Sequence, residues 1–118
     1  MANPHRGEVQ FEAGGKSHTI RLSTNTICGL EAELGVGFGE ITRRLDGFNF
    51  LTLRSVMRGA MGANASAAEA SAVIDELGYA QAVAHIMDAY RLAYPLPNGE
   101  DDAMSPRTAA EPGIGLNS

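Results

Sequence analysis

FNFLTLRSVMRGAMGAN, residues 48–64, is the stretch on which the fold turns. At helical period Phe50, Leu53, Met57 and either Ala60 or Met61 share one stripe, and Val56 widens it. Arg54 and Arg58 stand together on the opposite side. Asn49 precedes the stripe as a candidate N-cap, and Phe48 before it is placed to pack on Leu53 as a hydrophobic staple. A helix with its own start signal and one broad apolar face is the natural centre of a small domain. The flanking segments read as elements that lie against it.

Upstream, residues 8–13 and 16–22 alternate, with Val9, Phe11 and Ala13 on one face of the first run and His18, Ile20 and Leu22 on one face of the second. A two-residue turn at Gly14-Gly15 would pair Ala13 with Lys16, Phe11 with His18 and Val9 with Ile20, which puts both apolar rows on one side. A lone hairpin is marginal in water, so it must lie on the helices or pair with a neighbouring molecule, and its outer edges are open to pairing. Ser23, Thr24 and Asn25 are three candidate N-caps for a helix with Ile27, Leu30 and Leu34 on its stripe and Gly35 at its end. Phe38, Ile41 and Leu45 make a second short stripe, with Arg43 and Arg44 near its C-terminus and Gly47 beyond.

Downstream, Ser66-Ala67-Ala68-Glu69 is a capping box that opens a fourth helix, buried through Ala70, Val73, Ile74 and Leu77 and ended by Gly78. Tyr79, Val83, Ile86 or Met87, and Tyr90 mark a fifth, which must stop near Pro95. The pattern is that of an α+β domain, mostly helical: an N-terminal two-stranded β-hairpin followed by about five helices, over residues 1–95. Residues 96–118 are rich in proline, glycine, serine and acidic side chains without periodicity, and read as a disordered tail.

The 118 residues suffice for one small core, and a formal net charge of −5 argues against nucleic acid as the ligand. A lone Cys28 leaves no internal disulfide or cysteine-pair zinc site and suggests a reducing compartment. No apolar run approaches the length of a membrane span, and the expected location is the cytoplasm. No cofactor or metal site is read. The glycines of GVGFGE, residues 35–40, follow a helix rather than a strand and simply end one helix and start the next. His5, His18 and His85 are not at ligand spacing. His18 reads as a satisfied core residue beside Phe11, His85 as the partner of Asp88, and Cys28 as a small buried hydrophobe.

Nothing in these patterns assembles a nucleophile, a base and an orienting group, so the chain does not read as an enzyme. The two arginines one turn apart repel mildly, so a carboxylate should lie close to them, from this chain or from a docked acidic partner. Glu100, Asp101 and Asp102 are a solubilising run that could compete for the same face. Met57, Met61 and Met87 read as core filling, although soft side chains also suit an adaptable contact surface.

Taken together, ANPHRGEV at residues 2–9, the hairpin around Gly14-Gly15-Lys16 and LSTNTICGLEAELG at residues 22–35 resemble the gene transfer agent family of phage-tail proteins. The likeness extends through FGEITRRL at residues 38–45 and LRSVMRGAM at residues 53–61. The resemblance implies a tail assembly chaperone, which coats the tape-measure protein while the tail tube protein polymerises around it, in the host cytoplasm. It also leaves room for a homo-oligomer, and for the alternative of a structural tail tube or minor tail component. Two strands against several helical stripes favour the chaperone over a sheet-built tube subunit. The implied docking groove lies on the central and last helices, through Leu53, Arg54, Met57, Arg58, Met61, Val83, Met87 and Tyr90.

Overall fold

Alternation at residues 8–13 and 16–21 produces β1 (Glu8–Ala13) and β2 (Lys16–Arg21), paired antiparallel in the register that the two-glycine turn dictates. Phe11 faces His18, Val9 faces Ile20 and Ala13 faces Lys16. Gly14 and Gly15 have φ of 62° and 77°, the left-handed pair that a tight hairpin turn demands. The computed structural model describes residues 6–95; the sequence readings for residues 1–5 and 96–118 lie outside them.

Five helices follow: α1 (Thr24–Leu34), α2 (Phe38–Asp46), α3 (Phe50–Met61), α4 (Ala67–Leu77) and α5 (Tyr79–Ala93). Of the three candidate caps before α1, Ser23 serves, its hydroxyl accepting from Thr26 N at 3.1 Å. Gly37 offers α2 no side chain, and Glu31 of α1 supplies the missing acceptor, taking a 2.8 Å bond from Phe38 N. The glycines at 35 and 37 therefore stop one helix and start another. Asn49 caps α3 through Thr52 N at 3.0 Å. Ser66 and Glu69 close the capping box on α4 with bonds of 3.0 and 2.8 Å. Ser66→Ala removes one of these acceptors and is expected to lower stability by about 1 kcal/mol, read as a shift in urea midpoint; an unchanged midpoint would mean the cap is redundant.

α3 packs against α1, α2, α4, α5 and β2, so the segment with the strongest local signal is also the central one. Its buried residues are Thr52, Leu53, Val56, Met57 and Ala60. Phe11, Ala13, Ile20 and Leu22 from the hairpin, Leu30 of α1, Ile41 and Leu45 of α2, and Ala70, Val73 and Ile74 of α4 close around it. Because β1 lies on α4 and α5, and β2 on α3 and α5, the helices supply the second layer that a lone hairpin lacks.

Three expectations are corrected. Phe50 does not join the buried stripe and is 60% exposed: the buried arc of α3 centres between Leu53 and Val56, which leaves position 50 about a quarter-turn away on the first, overhanging turn. Phe48 does not staple onto the core that holds Leu53; it is 67% exposed, with its ring against Tyr79 at 4.8 Å. On α5 the buried line is Ala82, Ile86 and Ala89, so of the expected stripe Ile86 is core, while Tyr79, Val83, Met87 and Tyr90 fall on its half-buried flank. Alanines let α5 approach its neighbours closely, and the larger side chains fill the margin.

Candidate functional site

The residues of the implied docking groove separate into three groups. Leu53 and Met57 are fully buried, so they form core and are not available to a partner. Their position follows from packing on both sides of α3, which turns a stripe that is open on an isolated helix into the domain interior. Met61, Val83, Met87 and Tyr90 are half-buried and lean on that core. Arg54 is exposed, and Arg58 is half-exposed. α3 and α5 pack directly against each other, and Leu53 and Met57 are buried in the core, so these two residues line no open groove.

The two arginines differ in what holds them. Arg58 reaches across to Glu33 of α1 at 3.2 Å, which supplies the carboxylate its environment called for. Arg43 and Arg44 both meet Glu40, and Arg91 meets Asp88. Among the described residues the Arg54 side chain makes no ion pair or hydrogen bond. It lines a cleft of about 160 Å³ with Phe50, Leu51, Ser71, Ile74 and Asp75, between the first turns of α3 and the last turns of α4. Asp75 likewise has no ionic partner among the described residues.

Beside this cleft, Phe48, Phe50 and Leu51 are 67%, 60% and 69% exposed, a concentration of large apolar side chains at one corner of the domain. Tyr79 organises the corner. Its ring contacts Phe48 and Phe50, each at 4.8 Å between centroids, and its hydroxyl donates to the Leu45 carbonyl. Burial pushes the Tyr79 phenol above its ordinary value, a hydrogen bond with the Asn49 backbone opposes that shift, and the nearby Asp46 carboxylate adds to it. A raised phenol pKa favours the neutral form, so its contribution to stability is complete below the ordinary value of 10.0 and is lost as pH climbs through the raised one. Tyr79 therefore stays a hydrogen-bond donor throughout the neutral range.

Phe48 occupies the left-handed region at φ 61°, the one non-glycine residue to do so among the described residues. Gly47, just before it at the end of α2, sits at φ −88°, so the strain falls on Phe48. A bulky residue there costs about 1–3 kcal/mol. Phe48→Gly removes that strain and also the ring contact with Tyr79, worth about 0.5–1.5 kcal/mol, and the glycine's extra unfolded-chain entropy costs about 0.5–1 kcal/mol more. The expected net change in stability is within about 2 kcal/mol in either direction, against about 3–5 kcal/mol for truncating a core phenylalanine. A large loss in a denaturation curve would mean that Phe48 belongs to the core after all.

A second aromatic cluster lies at the far end of α5. Tyr90 stacks between Phe38 and Tyr94 at 5.2 and 5.3 Å, and the Tyr94 and Thr24 hydroxyls lie 2.6 Å apart. Here the rings are largely spent on one another. The hairpin seam holds a third, in which Phe11 stacks on His18 at 5.6 Å and on His85 at 4.5 Å. His18 donates to the Ala13 carbonyl at 3.3 Å, so it is satisfied as expected, but it is half-buried at the seam and not a core residue. His85 is not paired with Asp88; it accepts from Gln81 at 3.2 Å while Asp88 binds Arg91. Cys28 is exposed on α1, not buried.

Among the described residues no cluster of metal-ligating side chains occurs, and no helix is long and apolar enough to cross a membrane. No family model, curated protein or solved structure matches this chain. The site rests on its own geometry: an apolar corner, a neighbouring cleft and two unpaired charges. Phe48, Leu51 and Asp75 were absent from the sequence-derived set. Three large apolar residues interrupted only by Asn49 are the available signal, and an N-terminal helical turn looks the same in sequence whether or not a neighbour covers it.

Proposed function

We propose that this chain is a tail assembly chaperone of a phage or gene transfer agent, a stoichiometric cover for apolar stripes on tape-measure helices until tail tube subunits displace it. The observation that carries the reading is the exposure of Phe48, Phe50 and Leu51 together at one corner of a domain whose core is otherwise closed. The resemblance of most of residues 2–94 to gene transfer agent tail proteins supplies the partner.

Burying each such side chain contributes about 1.5–3 kcal/mol before the costs of association. A single contact of that size is weak and exchanges quickly, which suits a cover that must come off. Many copies along one long tape-measure chain accumulate occupancy without any one being tight. No bond is made or broken, and no cofactor enters. The two-stranded sheet supports this reading over a tube subunit, whose rings would be expected to join through extended sheets.

The test is co-expression with the tape-measure and tube proteins of the same particle. The chain should copurify with the tape-measure protein from an assembling lysate and be depleted from finished particles. Abundant copies in mature tails would replace the reading with that of a structural tube or minor tail component.

A further inference from the structure

Three features converge at the α3–α4 cleft. Its mouth is framed by Phe50 and Leu51, both mostly exposed, and it also admits Ile74, which is only 7% exposed. At about 160 Å³ it is the size of a cavity that takes a single benzene ring, hence one large side chain. Arg54 and Asp75 line it with opposite charges, and neither has an ionic partner among the described residues, whereas Arg43, Arg44, Arg58 and Arg91 all do. Phe48, strained and exposed, stands at the same corner against Tyr79.

We propose that this cleft is the docking site for one amphipathic α-helix of a partner protein, which inserts a leucine-sized side chain between Phe50, Leu51 and Ile74 and meets Arg54 with a carboxylate about one turn away. The proposal rests on the chaperone reading for the source of that helix and adds its surface and its charge pattern. The interiors of α3 and α4 bond their own backbone groups, so the cleft has no row of free N–H and C=O groups to pair with a strand. An α-helix, whose backbone groups are bonded within itself, suits such a surface. Residues three or four apart on such a helix present an apolar anchor and a charge to the same surface. Leaving Arg54 unpaired favours an acidic flank on the partner, and Asp75 across the cleft disfavours a second one, which orients the helix.

Two capped 18-residue peptides serve as probes, each with a leucine stripe at helical spacing; one flank carries glutamates in the first and lysines in the second. They are titrated into the full-length chain, with backbone amide shifts recorded by NMR and affinity by calorimetry. The glutamate peptide should shift Phe50, Leu51, Arg54 and Ile74 and bind on the order of tenfold more tightly than the lysine peptide. Arg54→Glu should reverse that preference, and Leu51→Glu should weaken both by on the order of tenfold while leaving the circular dichroism unchanged. The assignment fails if charge preference is absent, if Arg54→Glu leaves it intact, or if the shifts fall elsewhere. It also fails if sedimentation shows a dimer dissolved by Leu51→Glu, since a second copy would then be the occupant. The same holds if deleting residues 96–118 alone shifts the cleft resonances, because the chain's own acidic run would then fill it. Copurification of the tape-measure protein undiminished by both variants would overturn this surface and leave the chaperone reading standing. The peptide results without such copurification would do the reverse.

Discussion

Leu53→Ala is expected to destabilise the domain by about 3–5 kcal/mol, the range for a fully buried leucine whose surroundings cannot collapse into the space. Leu53 has no exposed surface and sits on the helix that every other helix and β2 touch, so relaxation on one side opens a gap on another. Small domains hold about 5–15 kcal/mol in all, and a loss of this size removes much of it. The measurement is the urea midpoint, with Leu51→Ala as its companion. Leu51 lies two residues away on the same helix at 69% exposure, and its truncation should move stability by no more than about 0.5 kcal/mol. Equal losses from the two variants would mean that α3 is oriented differently. The pair also bears on function, because only Leu51 should weaken a partner's binding without unfolding the chain.

Gly7→Ala should cost about 2–5 kcal/mol. Gly7 has φ +77°, where an added Cβ costs about 1–2 kcal/mol by itself. That Cβ would also lie 2.9 Å from Ala93 Cβ and 3.0 Å from Ala93 Cα, and overpacking of this kind adds about 1–3 kcal/mol. One of the two contacts is with backbone, so no rotamer change relieves it. The entry to β1 and the last turn of α5 should loosen together, visible as faster hydrogen exchange at residues 89–93. Ala93→Gly in the same chain should recover the side-chain part of the loss and leave the backbone strain. A variant as stable as the parent would show that the chain ends of this domain are not held against each other.

Much of the local structure was legible because it is set by groups close in sequence. The hairpin register follows from a two-residue turn and an alternation that agree, and the capping box at Ser66 and Glu69 closes within four residues. The caps at Ser23 and Asn49 work in the same way, each reaching an amide three residues on. What failed was the assignment of faces. Phe50 and Leu53 are indistinguishable on an isolated helix, and only the position of α4 and the start of α5 decide that one is open and the other closed. Thr52 was missed as a buried residue for the same reason, since a polar side chain at the edge of a stripe carries no sign of what lies beyond it. On α5 the expected stripe holds for Ile86, while close approach to neighbours buries Ala82 and Ala89 in place of Tyr79, Val83 and Tyr90.

The candidate site was legible only in part. Arg54 was singled out from its spacing, and the pairing of Arg58 with Glu33, 25 residues away, is what distinguishes the two arginines. The sequence by itself determined the order of elements, their ends and the turn that pairs the strands, because those depend on hydrogen bonds and dihedral preferences spanning a few residues. Tertiary packing alone decided which apolar residues are covered and which charges find partners, because burial and ion pairing depend on distances between segments that are remote along the chain.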